Sequence, residues 1–159
     1  MAAIGQNPER VAAAVGFPVI ELPNSTVDSA ESVIRLLVDH LISIGEVAPE
    51  CAEDTIRALL CREQLGSTAV GAGLALPHAK TRAVRQVVGL VGASRAGIDW
   101  DGGRPRVLPV QEATDGPQRV HTVCLLLAPE WDRSALFRAG QSVTARIRAA
   151  AGFEGTNCF

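Results

Sequence analysis

Residues 66 to 78 read Gly66-Ser67-Thr68-Ala69-Val70-Gly71-Ala72-Gly73-Leu74-Ala75-Leu76-Pro77-His78. Small residues fill the first part of this segment, three apolar residues follow, and a proline and a histidine close it. The pattern predicts a turn, then a short buried strand, and then a residue held just beyond the strand end. Pro77 stiffens the chain there, because its ring fixes φ and removes a backbone donor. The segment therefore predicts that His78 is presented by a rigid element.

His78 is the first candidate for chemistry in this sequence. Near pH 7 an imidazole is substantially neutral, so one of its ring nitrogens carries a lone pair. That nitrogen can attack phosphorus, and the phosphohistidine that forms can donate the group again. Such transfer depends mainly on alignment and charge neutralisation, which placement on a rigid element favours. The residues alone leave a structural histidine open as the alternative.

Two helices are predicted before this segment. Asp28 is the expected N-cap of the first helix, with Glu31 three residues later in a reciprocal capping arrangement. Apolar residues then recur at helical spacing as far as Ile42, and Gly45 supplies a left-handed stop. Pro49 opens the second helix at its first turn, where a missing N–H costs nothing.

Apolar runs predict the strands of a sheet. They cover residues 19–22, 87–91 and 120–128, and a weaker candidate covers residues 107–110. A final helix is predicted from about residue 132 to residue 150. Helices and strands joined by short connections predict an α/β fold. We expect a three-layer sandwich in which helices flank a small mixed β-sheet on both faces.

The chain is predicted to divide into three parts. Residues 1–18 are an Ala-rich N-terminal extension, either a short helix or a loose tail. Residues 19–151 form one domain, which is long enough to bury an apolar core. Residues 152–159 form a C-terminal tail.

Composition and charge argue against several classes of protein. Hydrophobic residues make up 47% of the 159 residues and charged residues 20%, with a formal net charge of −2. This composition is typical of a globular protein. The most basic stretch contains Lys80, Arg82 and Arg85, and its spacing indicates a solvent-exposed face. We therefore do not expect the chain to bind nucleic acid. No apolar run reaches the roughly 18 residues needed to cross a bilayer, and no signal peptide is read. We therefore expect no membrane insertion and a cytoplasmic protein, in which the four cysteines, none in a Cys-x-x-Cys pair, are reduced thiols.

Other polar residues carry weaker signals. His40 is predicted inside the first helix and His121 at the start of an apolar strand. No two histidines show the spacing of a metal site, so we expect no metal. Arg62 and Glu63 lie at the end of the second helix, where a surface ion pair is one interpretation. The other is that the Arg62 guanidinium turns toward a phosphate held by His78.

Residues 62 to 80 closely resemble the active-site segment of enzyme IIA domains of the bacterial phosphotransferase system. The type is the fructose/mannitol one, which includes the nitrogen-regulatory IIA proteins. The family pattern is Arg-Glu, Ser-Thr, a glycine pair, Ala-x-Pro-His and a basic residue. It is filled here by Arg62-Glu63, Ser67-Thr68, Gly71 and Gly73, Ala75 to His78, and Lys80. At lower specificity the resemblance extends from about residue 19 to residue 147.

The resemblance implies a phosphocarrier. His78 would accept a phosphoryl group from phospho-HPr and pass it to a IIB component, or hold it as a regulatory signal. Arg62 matches the supporting arginine of the family, and the hydroxyls of Ser67 and Thr68 match the pair beside its active site. No metal or organic cofactor is implied, because donor and acceptor are both histidines.

Two departures from the family pattern leave alternatives open. Many members carry a second histidine at the start of the helix after the late strand, and residues 131–136 contain none. His121 or Arg133 are the candidates to replace it. The chain also ends soon after the last helix, and residues 103–119 exceed the usual loop length. The alternatives are a nitrogen or metabolic regulatory binding protein and a degenerate paralogue without phosphotransfer.

Overall fold

The computed structural model describes residues 3–25, 27–101 and 119–152. The possible strand at residues 107–110 lies outside these ranges. After a short 3-10 helix at Ile4–Gln6, the helices are α1 (Pro8–Val15), α2 (Ala30–Ser43), α3 (Ala52–Leu65) and α4 (Ala135–Ala151), and a 3-10 turn at Pro49–Cys51 leads into α3. The strands are β1 (Val19–Glu21), β2 (Ala69–Gly71), β3 (Leu74–Ala75), β4 (His78–Thr81), β5 (Val88–Ile98) and β6 (Val120–Pro129).

The six strands of the described residues form one mixed sheet built around β6. Its order is β1-β5-β6-β3-β2, and β4 also pairs with β6. β5 runs antiparallel to β6, whereas β3 and β4 lie parallel to it, one after the other along its length. β6 is therefore the central strand, as its apolar sequence predicted.

Alternate residues of the central strands face two separate apolar layers. Leu90, Leu125 and Leu127 pack into the layer beneath α2 and α3. Val91 and Leu126 pack into the opposite layer, which α1 and α4 cover. This period-2 alternation buries both faces of the sheet. The prediction of a three-layer α/β sandwich with helices on both faces is confirmed.

The N-terminal segment is helical rather than loose. Val11 and Val15 of α1 are buried against the sheet. The backbone N–H of Gly5 donates to the carbonyl of Ala72 at 2.8 Å, and the Thr122 hydroxyl donates to the Gly5 carbonyl at 2.5 Å. Residues 4–15 therefore form part of the packed structure.

The start of α2 differs from its prediction. Ser29, not Asp28, is the N-cap: its hydroxyl accepts from the N–H of Ser32, whose hydroxyl accepts in turn from the N–H of Ser29. Glu31 instead pairs with Arg35 at 3.2 Å. A serine pair completes the capping box because a hydroxyl can both donate and accept.

Other element boundaries shift by a few residues. Gly45 has the left-handed φ of +80° that the predicted stop required. α4 begins at Ala135 rather than at Asp132. The Asp132 carboxylate accepts from the N–H of Ser134 at 3.2 Å, so Asp132 orders the turn before the helix.

The segment from residue 66 to residue 78 also differs from its prediction. It forms a hairpin of β2 and β3 instead of one strand, with Ala72 and Gly73 at φ +55° and +78° in the connection. Gly71 precedes them at φ +89°, and these three consecutive positive φ values allow the tight reversal that a hairpin needs. His78 is the first residue of β4, not a residue beyond a strand end.

Two further findings concern membrane-spanning helices and the cysteines. No helix in the described ranges combines the length and the apolar character required to cross a membrane. Cys51, Cys61 and Cys124 are free cysteines, and burial raises the pKa of the Cys124 thiol to about 12.

Candidate functional site

His78 is the first residue of β4, a strand that pairs with the central strand β6. It pairs with Leu126 in the parallel ladder between β4 and β6, and it follows the buried Pro77. The Leu126 N–H donates to the carbonyl of Pro77 at 3.0 Å, which fixes the backbone directly before His78. The imidazole itself is half-buried. A rigid strand therefore presents a ring that is still accessible from outside.

The carbonyl of Leu76 determines the orientation and tautomer of the ring. Its oxygen lies 2.8 Å from Nδ1 of His78. A carbonyl oxygen only accepts, so Nδ1 must carry the proton that this hydrogen bond requires. In the neutral ring the lone pair is then on Nε2. In the neutral ring, Nε2 is therefore the nitrogen that could act as a nucleophile.

The surroundings of His78 favour the uncharged ring. Burial is the largest influence and lowers its pKa below the ordinary value of 6.5; the Leu76 carbonyl acts in the opposite sense, and the positive charge of Arg62 lowers the pKa further. The net shift is downward. A larger fraction of the imidazole is therefore neutral near pH 7 than for an exposed histidine.

Arg62 lies at the end of α3 and acts on His78 through its charge. Its Nη1 donates to the carbonyl of Gly66 at 2.7 Å, which holds the guanidinium against the C-terminus of the helix. A cation is stabilised there by the negative end of the helix dipole. The sequence left open an ion pair between Arg62 and Glu63. In the structure, Arg62 instead contacts the Gly66 carbonyl, and the Glu63 carboxylate accepts from other residues.

Ser67 and Thr68 both direct their hydroxyls to carboxylates. The Ser67 hydroxyl donates to Asp101, and the buried Thr68 hydroxyl donates to Glu63. A phosphate oxygen needs a hydrogen-bond donor, so either hydroxyl would have to leave its carboxylate to bind one. Direct phosphate binding by these two residues stays a prediction.

Glu63 and Trp100 are site residues whose roles the sequence did not reveal. The Glu63 carboxylate accepts from the N–H of Thr68 and from Nε1 of Trp100, each at 3.2 Å. Trp100 is buried, although its sequence context indicated only a turn. The distance of 37 residues between Glu63 and Trp100 gave no local signal for this contact.

Lys80 is a second cation near His78. Side chains alternate along a strand, so Lys80 lies on the same face of β4 as His78, with Cα atoms about 7 Å apart. Its ammonium donates to the carbonyl of Arg133 at 2.9 Å. Ala79 and Thr81 of β4 are buried, whereas His78 is half-buried and Lys80 is exposed, so the imidazole and the ammonium lie on the more open face of the strand.

The two candidates to replace the second histidine lie in different places. His121 precedes Leu126 by five residues on β6, which puts it about 17 Å along the strand from the position paired with His78. Its Nδ1 contacts the carbonyl of Ser94 at 3.0 Å. Arg133 instead lies in the loop that Lys80 contacts. The structure therefore brings Arg133, and not His121, to the His78 end of the sheet.

A metal site is not formed by the described residues. Within residues 3–25, 27–101 and 119–152, no group of three or more His, Cys, Asp and Glu side chains is arranged to hold a metal ion.

Sequence relatives include transport and regulatory proteins. The chain is 33% identical over 106 residues to the "PTS system 2-O-alpha-mannosyl-D-glycerate-specific EIIABC component" of Escherichia coli K12, covering 67% of this chain and 14% of that protein. It is 34% identical over 113 residues to the "Nitrogen regulatory protein" of Bradyrhizobium diazoefficiens, covering 71% of this chain and 64% of that protein. The chain thus spans less than two thirds of either relative.

A solved structure and a family model agree on the fold. The crystal structure of nitrogen regulatory protein IIA-Ntr from Neisseria meningitidis matches with a TM-score of 0.56 at 21% identity, covering 89% of this chain and 88% of that one. The family model described as "Phosphoenolpyruvate-dependent sugar phosphotransferase system, EIIA 2" matches residues 18–148, which is most of the chain. The chain therefore belongs to the EIIA type-2 family of the phosphoenolpyruvate-dependent sugar phosphotransferase system.

Proposed function

We propose that this protein is a phosphocarrier that accepts a phosphoryl group on Nε2 of His78. The contact between Nδ1 and the Leu76 carbonyl carries this proposal, because it leaves the lone pair of the neutral ring on Nε2. The donor is phospho-HPr, in which the group is held on a histidine. The Nε2 lone pair forms the new P–N bond as the donor P–N bond breaks, and the electron pair returns to the donor imidazole.

Two cations offset the charge of the transferred group. Arg62 lies close enough to lower the pKa of His78, so it can also stabilise negative charge on a phosphoryl group attached to that ring. Lys80 donates once to the Arg133 carbonyl, and an ammonium carries two further donors. The transfer needs neither a metal nor an organic cofactor, because donor and acceptor nitrogens are chemically alike.

The acceptor is a IIB component. The E. coli relative is described as an EIIABC component, which names a B part beside the A part. A regulatory role is the second candidate, and the match to the nitrogen regulatory protein over 64% of its length favours it. In that case the phosphate on His78 changes the affinity for a target protein. Phosphorylated and unphosphorylated protein used as bait will discriminate: recovery of a IIB protein supports transport, and recovery of a kinase or an ion transporter supports regulation.

Reconstitution with phosphoenolpyruvate, enzyme I and HPr tests the carrier proposal. The wild-type protein should take up one acid-labile phosphate, and His78→Ala should take up none. His121→Ala is the matched control, since it removes a histidine from the other end of β6, and it should be labelled normally. Acid-labile phosphate on His78→Ala, or none on the wild type, would contradict the proposal.

A further inference from the structure

A continuous series of hydrogen bonds connects α3 to the ring of His78. The Glu63 carboxylate accepts from both the N–H and the hydroxyl of Thr68. The Thr68 carbonyl accepts from the N–H of Leu76 at 3.0 Å. The Leu76 carbonyl in turn accepts from Nδ1 of His78 at 2.8 Å. Each residue in the series sets the position of the next.

Trp100 fixes the carboxylate from the other side. Its indole Nε1 donates to Oε2 of Glu63 at 3.2 Å, and the Trp100 side chain is only 4% exposed. Hydrogen bonds to an ionised carboxylate are about twice as strong as neutral ones. Glu63 is itself partly buried, which reduces competition from water. The carboxylate is therefore a fixed point between the end of α3 and the turn after β5.

We propose that Glu63 is a positioning residue for the phosphoryl transfer at His78, a role that rests on the proposed function. By holding Thr68, Glu63 holds the Leu76 peptide with its carbonyl directed at Nδ1. That carbonyl keeps the proton on Nδ1 and the nucleophilic lone pair on Nε2. Glu63 touches neither the phosphate nor the reacting nitrogen. It acts through the Thr68 and Leu76 backbone.

Glu63→Gln is the direct test. The amide keeps the size of the side chain but removes the negative charge that strengthens these hydrogen bonds. If its one oxygen takes the place of Oε2, which accepts from both the Thr68 N–H and the Trp100 indole, its NH2 group replaces Oε1, which accepts from the Thr68 hydroxyl. We expect the rate constant for phosphoryl transfer, per folded molecule, to fall about tenfold with the KM for phospho-HPr unchanged. Glu50→Gln is the matched control, because Glu50 is exposed at the start of the same helical region and loses the same charge.

The tautomer of His78 separates positioning from simple stabilisation of the fold. Nitrogen-15 NMR distinguishes a ring protonated on Nδ1 from one protonated on Nε2. In the wild type and in Glu50→Gln, the Nδ1–H form should predominate. In Glu63→Gln the Nε2–H form should gain population. An unchanged tautomer ratio together with an unchanged rate would overturn the inference.

Two further variants secure the test if Glu63→Gln does not fold. Trp100→Phe keeps an aromatic ring but removes the indole donor, and Thr68→Val removes the hydroxyl that Glu63 accepts from. Both should show the same change in tautomer and rate, whereas Thr68→Ser should restore wild-type behaviour. If the wild-type chain takes no phosphate, the carrier proposal fails. The tautomer measurement then decides the positioning role by itself.

Discussion

Thr55 of α3 and Thr81 of β4 share a buried hydrogen bond, with 2.8 Å between their hydroxyl oxygens. The Thr81 oxygen also accepts from the N–H of Ala83 at 3.1 Å. This contact joins the helix that carries Arg62 to the strand that carries His78. A buried hydrogen bond therefore helps to hold the elements that carry the guanidinium and the imidazole against each other.

Replacing Thr55 with Val should destabilise the protein. The substitution keeps the shape of the side chain but removes a buried hydroxyl partner, and we expect a loss of about 1 to 2 kcal/mol in the free energy of unfolding. Urea denaturation will measure it. Thr144→Val is the matched control, because the buried Thr144 hydroxyl has no hydrogen-bond partner among the described residues. That substitution should be neutral or stabilising, and equal losses in both variants would contradict the prediction.

Arg62→Gln should raise the pKa of His78 and slow phosphoryl transfer. The pKa rises because a positive charge that disfavours the imidazolium is removed. We expect the transfer rate to fall about 100-fold, since one preorganised donor of charge stabilisation is lost. NMR titration and rapid-quench labelling are the measurements. Arg57→Gln, on the same helix and paired with Asp54 at 3.4 Å, should change neither quantity. An unaltered rate in Arg62→Gln would assign Arg62 to a surface role.

His78 should make the protein less stable at acid pH. Its pKa in the fold lies below the ordinary value of 6.5, so the unfolded chain binds a proton more readily than the folded one. The contribution of His78 to stability is therefore fully present above pH 6.5. It is lost as the pH falls from 6.5 through the pKa of the folded state. Urea denaturation between pH 5 and 8 should show a decline that is smaller in His78→Gln. Equal declines in the two proteins would show that His78 has no shifted pKa.

Gly5→Ala should weaken the contact between the N-terminal segment and the β2–β3 hairpin. An added Cβ would lie 2.2 Å from the backbone carbon of Gly73 and 2.3 Å from the carbonyl oxygen of Ala72, neither of which can rotate away. We expect a cost of about 1 to 3 kcal/mol in thermal or urea unfolding. At Gly66 the same substitution meets no atom within 4 Å and should be nearly neutral. A wild-type stability for Gly5→Ala would mean that the segment moves aside without cost.

The sequence predicted those features that a local pattern can encode. Helical spacing located α2, the apolar run from Val120 located the central strand, and the Pro-His pair located the candidate nucleophile. These signals are local because the buried residues of one helix or one strand recur along the sequence at a fixed period. The order of helices and strands predicted the layered arrangement, and the family resemblance favoured Arg62 as the partner of His78, which the residues alone had left open.

Features that depend on contacts between distant residues were not predicted. The acceptors for Thr68 and Trp100 become known only when α3 and the turn after β5 meet at Glu63. The N-cap of α2 was misassigned because Asp28 and Ser29 are equally good caps by residue type. Positive φ at Ala72 was also unexpected, since this conformation is unfavourable for a residue with a Cβ and is tolerated in the hairpin turn.

The helical segment at residues 4–15 has a practical consequence for handling the protein. The match to the family model begins at residue 18. The apolar layer that contains Val91 and Leu126 also includes Ile4, which lies fourteen positions earlier. A version trimmed to the similar region would keep most of α4 but lose α1, so it would expose to water the part of this apolar sheet face that α1 covers, and exposed apolar patches favour aggregation. The boundaries of the family match are therefore a poor guide to which residues can be truncated without destabilising the protein.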